Sequence, residues 1–98
     1  MAKGTHQYID DPRNASILIN INGELFPREK AVVSVFDSGF ILGDGVWEGV
    51  RLHHGVVVFL KDHLRRLYQG AKSLDLDIGL TPEALTERLM ETLKANDM

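Results

Sequence analysis

The chain has no cysteine among its 98 residues, which excludes disulfide bonds, thiolate metal sites and a cysteine nucleophile. Its 11 lysines and arginines are outnumbered by 14 aspartates and glutamates, and a net charge of −3 provides no basic surface for nucleic acid. No apolar run approaches the roughly 20 residues that span a bilayer, and the polar N-terminus does not resemble a signal peptide. We therefore expect a cytoplasmic protein that binds neither nucleic acid nor membranes.

The remaining composition is typical of one small soluble domain. Hydrophobic residues make up 44% of the chain and charged residues 26%. Residues 1–14 are polar and rich in turn formers, so we expect a flexible N-terminal arm. Residues 15–98 then form a single domain with a modest hydrophobic core.

An Asn-Gly pair predicts the first β-hairpin. Asn22 and Gly23 separate two apolar runs, and this dipeptide favours the positive φ angles of a tight turn. We expect antiparallel strands near residues 16–21 and 24–27. The β-branched segment 31–37 predicts a third extended piece.

A second hairpin is predicted around His54 and Gly55. The segment before it, residues 38–45, contains three glycines and suits a turn or a single helical turn. Residues 46–53 then form one strand and residues 56–60 the return strand.

Two helices complete the predicted fold. From Lys61 the apolar period changes to 3.6, which indicates an amphipathic helix of about 13 residues. Its apolar stripe consists of Leu64, Leu67, Tyr68, Ala71 and Leu74. Thr81 and Pro82 favour the start of a last helix that reaches about Ala95. Strands followed by helices, without βαβ alternation, predict an α+β fold with an antiparallel sheet.

The stretch GDGVWEGVR combines an aromatic residue, glycines and two opposite charges. In a strand, Trp47, Gly49 and Arg51 share one face. There the flat indole, the space left by glycine and the guanidinium could together hold a small ligand with a carboxylate. The alternative is an edge strand whose arginine lies on the surface. Glu48 lies on the opposite, apolar face and needs a partner there, because a lone buried carboxylate is unfavourable.

Other site patterns have little support in the sequence. The glycines of GDGVWEG have the wrong spacing for a dinucleotide fingerprint and precede a strand instead of a helix. His53 and His54 fall in a predicted turn, and no histidine pair has the spacing of a metal site. Ser38 lies in D-S-G, which is not a nucleophile elbow. We therefore predict no metal.

The Arg65-Arg66 pair on the first long helix favours a solvated face when taken alone. Arg66 is adjacent to the apolar stripe, however, and could bend toward a pocket. Arginine is well suited to bidentate contact with phosphate.

The segment SGFILGDGVWEGVRLHHGVVVFLKDHLRRLYQGAKSL resembles the class IV aminotransferases, which are fold-type IV pyridoxal-phosphate enzymes. The resemblance extends over about 80 residues, from the INGELFP hairpin to the last helix. It rests on the hairpin, on the G-D-G-V-aromatic-E motif and on an H-x-x-R-L motif followed by small residues. It implies an enzyme that uses pyridoxal 5′-phosphate to transfer an amino group between an amino acid and a 2-oxo acid, as a homodimer.

The resemblance also implies roles for particular residues. The arginine of H-x-x-R-L, here Arg66, would hold the cofactor phosphate. Trp47, Gly49 and Arg51 would line the substrate pocket. Leu42 stands where branched-chain enzymes usually have tyrosine, so the resemblance leaves the substrate open between branched-chain, D-amino-acid and related members.

The resemblance implies that the Schiff-base lysine lies in a C-terminal domain beyond these residues. None of the chain's lysines matches the catalytic position, so we expect the chain to be the N-terminal domain of a longer enzyme and inactive alone. The alternative is a stand-alone module that uses the same face for dimerisation or partner binding.

Overall fold

The computed structural model describes residues 9–98 and has the α+β architecture predicted from the sequence. Strands β1 (Leu18–Ile21) and β2 (Glu24–Pro27) pair antiparallel, with Ile21 opposite Glu24. The turn between them has φ angles of 54° at Asn22 and 89° at Gly23. The first predicted hairpin is therefore confirmed.

The segment before β1 includes a short 3-10 turn at Pro12–Asn14. Asp11 precedes this turn, and its carboxylate accepts a hydrogen bond of 2.9 Å from the backbone N–H of Arg13. Residues 1–8 of the predicted arm lie outside the described residues.

The prediction of a third extended piece at residues 31–37 is wrong. A 3-10 turn occupies Arg28–Lys30, and the chain then turns again where the N–H of Asp37 donates to the carbonyl of Ser34 at 3.1 Å. The β-branched residues favoured a strand, but a strand also needs a neighbour that pairs with its backbone, and none of the described residues pairs with this segment.

Helix α1 (Ser38–Ile41) is a single helical turn, which is one of the two conformations predicted for residues 38–45. The Asp37 side chain caps it by accepting a hydrogen bond from the backbone N–H of Gly39 at 2.8 Å.

The second hairpin exists but is shorter than predicted. Strands β3 (Leu52–His53) and β4 (Val56–Val57) flank the turn at His54 and Gly55, whose φ angles are 50° and 77°. One further hydrogen bond, from the Val58 N–H to the Arg51 carbonyl at 2.8 Å, continues the pairing. The prediction that residues 46–50 also belong to this strand is wrong, because no described strand lies beside them. The predicted return strand 56–60 is also too long, since β4 ends at Val57 and α2 begins at Leu60.

Both long helices are confirmed. Helix α2 spans Leu60–Ser73 and helix α3 spans Pro82–Ala95. Thr81 caps α3, since its hydroxyl accepts a hydrogen bond from the Ala84 N–H at 3.1 Å. None of the described helices is long and apolar enough to cross a membrane.

Helix α3 packs against β1 through an unusual side-chain contact. The amide of Asn96 accepts a hydrogen bond from the Leu18 N–H at 2.7 Å and donates one to the Leu18 carbonyl at 2.9 Å. It therefore satisfies the edge of β1 as a neighbouring strand would. The hydrophobic core is small: among the described residues only Ala71 is fully buried.

Candidate functional site

The segment that carries the unusual sequence motif runs along one face of α2. His63, Arg66 and Gly70 are spaced three and four residues apart, so they lie in a row on this face. A Cβ on Gly70 would approach the Val46 side chain to 3.2 Å. The absence of a side chain at Gly70 therefore lets the 46–48 segment lie close against the helix.

Closer to the N-terminus of α2, the carboxylate of Glu48 contacts the side chains of Arg66 and His63. Its Oε1 lies 2.9 Å from Nε of Arg66 and 3.2 Å from Nδ1 of His63. The Glu48 side chain is 20% exposed. The sequence predicted that Glu48 would need a partner, and Arg66 and His63 supply it.

Arg66 is held by Glu48 and His63 but remains partly open to solvent. Its Nη2 lies 3.1 Å from His63 Nδ1, and its side chain remains 59% exposed. The guanidinium thus has an inner edge that faces Glu48 and an outer edge that is open to solvent. Such an arrangement leaves donors free for an anion.

The neighbouring Arg65 has a different environment. Its Nη2 lies 3.6 Å from the Asp62 carboxylate, and both side chains are about as exposed as that of Arg66. An exposed pair of this kind contributes little to stability. The two arginines are therefore distinguished by their partners: Arg66 pairs with Glu48 of another segment, and Arg65 pairs with Asp62 of its own helix.

The structure brings only some of the residues predicted to bind the substrate next to one another. Side-chain alternation is kept at residues 46–48, since Val46 and Glu48 contact α2 while Trp47, between them, is 82% exposed. The Cβ position of Gly49 lies 3.5 Å from the indole of Trp47, so these two residues are adjacent.

Arg51 and Leu42 have other surroundings. Arg51 borders a small cleft of about 40 Å³ beside α3. Its other walls are Val50, Leu52, Val57, Leu89 and Leu93. Leu42 follows α1 and is 70% exposed. Of the residues predicted to bind the substrate, Arg51 borders this cleft, and the walls of the four larger cavities contain none of them.

A larger groove lies elsewhere on the described part of the chain. This groove of about 660 Å³ between α2 and the start of α3 has a mainly apolar lining that includes Leu64, Tyr68 and Pro82. It contains neither Arg66 nor Trp47. The candidate site lies at Arg66, whose guanidinium is already oriented by Glu48 and His63. The groove also has charged residues in its wall, namely Lys61, Asp62, Arg65 and Glu83.

His63 is the residue that sequence reasoning missed as a partner of Arg66. The signal was available, because positions three apart on a helix lie side by side.

The described residues contain no group of three or more histidines, aspartates or glutamates placed to hold a metal ion. His53 and His54 contact each other edge to face, with ring centroids 4.2 Å apart.

Comparison with known proteins identifies relatives of this chain. Residues 45–98 match the family model described as amino-transferase class IV. A Methanocaldococcus jannaschii protein that is named, provisionally, a branched-chain-amino-acid aminotransferase is 49% identical over 80 residues, which cover 82% of this chain and 28% of that protein.

Two further relatives have different names. Branched-chain-amino-acid aminotransferase-like protein 1 of Arabidopsis thaliana is 44% identical over 87 residues, covering 89% of this chain and 16% of that protein. A D-alanine aminotransferase of Staphylococcus haemolyticus is 36% identical over 78 residues, covering 80% of this chain and 28% of the enzyme. The chain therefore spans less than a third of the length of the relatives it matches.

Proposed function

This chain belongs to the class IV aminotransferase family, and from that membership we propose that residues 15–98 form the small domain of a pyridoxal-phosphate-dependent aminotransferase. The reaction, the substrates and the cofactor are proposed for the whole protein, because the chain spans at most 28% of the relatives described above. The proposed reaction moves an amino group from an amino acid to a 2-oxo acid.

The observation that carries the proposal is the environment of Arg66. Its Nε is fixed by Glu48 at 2.9 Å, while its side chain is 59% exposed. A phosphate ester presents three acceptor oxygens, and arginine pairs with two of them at once. The arrangement of Arg66 therefore fits the phosphate of pyridoxal 5′-phosphate.

When bound, the cofactor supplies the electron sink that stabilises negative charge at the substrate α-carbon. Within this chain, Arg66 would anchor the phosphate and so orient the cofactor. The described lysines, Lys30, Lys61, Lys72 and Lys94, are all on the surface. We propose that the Schiff-base lysine is contributed by another part of the protein.

The proposed substrate wall is the segment Trp47–Arg51. The indole of Trp47 offers an apolar surface, Gly49 leaves space beside it, and Arg51 offers a cation for the substrate carboxylate. Leu42 would add an apolar contact. The names of the relatives support an amino acid with an aliphatic side chain, with either branched-chain amino acids or D-alanine as the first candidates.

The proposal is tested by titrating the apo form of the full-length protein with pyridoxal 5′-phosphate. Loss of a charge-assisted contact to phosphate costs about 1.5–3 kcal/mol, so Arg66→Ala should weaken binding about 10- to 150-fold. Arg66→Lys should restore part of the affinity, because an ammonium cannot make the forked contact.

Arg65→Ala is the matched control, because Arg65 has the same charge and almost the same exposure but its partner is Asp62. We expect this variant to bind the cofactor nearly as well as the unmodified protein. Equal losses in both alanine variants, or no loss in either, would show that Arg66 is not the phosphate ligand.

A further inference from the structure

The Glu48 carboxylate lies where it can determine the direction of the Arg66 guanidinium. Glu48 belongs to the loop before the second hairpin, and Arg66 belongs to α2. Oε1 of Glu48 accepts from Nε of Arg66 at 2.9 Å, and Glu48 is the less exposed of the two side chains, at 20% against 59%. The less exposed partner, Glu48, is thus the anchor, and the more exposed Arg66 is the group that is oriented.

His63 restricts the same guanidinium from a second side. Its Nδ1 lies 3.1 Å from Arg66 Nη2 and 3.2 Å from Glu48 Oε1. A ring nitrogen accepts when it carries no proton and donates when it carries one, so Nδ1 serves only one of these two partners at a time. In the tautomer with the proton on Nε2, His63 accepts from Arg66, and both Nε and Nη2 are then held.

These contacts leave part of the guanidinium available. Arginine has five N–H groups. One on Nε points to Glu48 and one on Nη2 points to His63, which leaves three for a ligand. Because the Arg66 side chain is more than half exposed, these three donors can reach an anion that approaches from solvent.

We propose that Glu48 is a positioning residue for phosphate recognition, which holds Arg66 by Nε and presents its outer edge to the cofactor phosphate. The proposal rests on the proposed function, since it assumes that Arg66 binds the phosphate. His63 supports the same orientation through Nη2. Neither residue is required to touch the cofactor.

Two physical effects of Glu48 oppose each other. Its negative charge partly neutralises Arg66 and so weakens attraction for phosphate. Its hydrogen bond removes rotamer freedom from Arg66 in advance, so less conformational entropy is lost when phosphate binds. Our proposal requires that the second effect is larger.

The experiment compares the affinities of the apo full-length protein for pyridoxal 5′-phosphate and for pyridoxal, measured by absorbance titration. The ratio of the two affinities isolates the contribution of the phosphate. Glu48→Ala removes both the charge and the acceptor, and we expect the ratio to fall about tenfold, as for loss of one charge-assisted contact. Glu48→Gln keeps an acceptor for Nε and should lower the ratio less than threefold.

Each of the following outcomes would overturn the proposal. A rise in the ratio for Glu48→Ala would identify Glu48 as a competitor for Arg66. Equal losses for both ligands, with a lower melting temperature, would indicate a purely structural role. If Glu48→Ala does not fold, a Glu48→Gln ratio that falls as far as that of Arg66→Ala contradicts positioning by hydrogen bonding.

Arg66→Ala distinguishes this proposal from the one on which it rests. If Arg66→Ala lowers the ratio and the Glu48 variants do not, positioning by Glu48 fails while Arg66 remains the phosphate ligand. If Arg66→Ala leaves the ratio unchanged, both proposals fail. Arg65→Ala serves as the control that changes net charge on the same helix without touching Glu48.

Discussion

Gly23 has a backbone conformation that a side chain would strain. Its φ angle is 89°, and a Cβ would lie 1.5 Å from Nη1 of Arg88. The Arg88 side chain is flexible and can move away, whereas the backbone strain of a left-handed residue cannot be relieved. We expect Gly23→Ala to lower the free energy of unfolding by about 1–2 kcal/mol in urea denaturation.

The same substitution in a second variant distinguishes backbone strain at Gly23 from the steric clash with Arg88. The Arg88→Ala variant removes the side chain that the new Cβ would meet. If backbone strain dominates, Gly23→Ala should cost nearly the same with and without Arg88. A loss that disappears in the Arg88→Ala background would show that the contact, and not the turn, makes glycine necessary.

Single residues show what the sequence alone can and cannot predict about the site. The need of Glu48 for a partner followed from its expected burial, and the structure confirms it. Its partners could not be identified in advance, because they depend on how the 46–48 segment lies on α2. That placement rests on a close contact between Val46 and Gly70, which are 24 positions apart in sequence.

At the scale of elements, Asn96 connects the end of α3 to the edge of β1. Its amide pairs with both backbone groups of Leu18, at 2.7 and 2.9 Å, and also donates to the Thr92 carbonyl at 2.8 Å. Asn96→Ala leaves the Leu18 groups without this partner. We expect a loss of about 1–3 kcal/mol in unfolding free energy and faster hydrogen exchange at the Leu18 amide.

Lys94→Ala is the control for this change, because Lys94 is an exposed residue on the same helix. It should alter unfolding free energy by less than about 0.5 kcal/mol. Unchanged exchange at Leu18 in Asn96→Ala would contradict the view that Asn96 takes the place of a neighbouring strand.

Tyr68 connects α2 to the segment that precedes α3, and this connection is sensitive to pH. Its hydroxyl donates to the Leu80 carbonyl at 2.6 Å. Burial, and to a lesser extent the charge of Glu83, raise the pKa of Tyr68 above its ordinary value of 10.0. The fold therefore favours the neutral phenol. The contribution of the neutral Tyr68 phenol to the stability of the fold is complete below about pH 10 and is lost as the pH rises through the raised pKa.

The measurement is urea denaturation of the unmodified protein and of Tyr68→Phe between neutral and strongly alkaline pH. Phenylalanine cannot donate to Leu80, so the variant should be less stable by about 1 kcal/mol near neutral pH. The difference in unfolding free energy between the two proteins should become smaller above pH 10, because the ionised Tyr68, like phenylalanine, has no O–H to donate. Parallel profiles over the whole range would contradict this role of Tyr68.

Elements with local signals were predicted well, and elements that depend on distant partners were not. The first turn follows from Asn22-Gly23 and the last helix from Thr81-Pro82, because each pair acts on its own backbone. Residues 31–37 and 46–50 include β-branched side chains but have no adjacent strand among the described residues. Propensity alone does not form a strand without that partner.

At the scale of the whole molecule, the exposed surface is larger than a self-contained domain would have. The accessible area is 8423 Å², whereas a folded monomer of this length exposes about 5,600 Å². The Cα radius of gyration, 14.9 Å, likewise exceeds the roughly 12.6 Å of a compact domain of this size. The excess is larger than one side of a standard protein interface, which buries about 800 Å².

Most of the large apolar side chains that are exposed in the described part of the chain lie between residues 32 and 59. Phe36 is 84% exposed and Trp47 is 82% exposed. Other exposed apolar residues in this range are Val32, Val33, Val35, Phe40, Ile41, Leu42, Val50, Val56 and Phe59. Apolar surface of this extent usually becomes covered by another chain or domain. We propose that the 98-residue chain, prepared alone, covers it by self-association.

Light scattering over a range of protein concentrations tests this proposal. We expect the mass of the 98-residue chain to rise above 11.0 kDa with concentration. The double change Phe36→Ser and Trp47→Ser should shift the rise to higher concentration, because it removes two of the most exposed apolar side chains. Ile9→Ser is the control, since Ile9 is also 82% exposed but lies outside the 32–59 segment. A monomeric mass at every concentration, or an equal effect of Ile9→Ser, would mean that the 32–59 surface does not drive association.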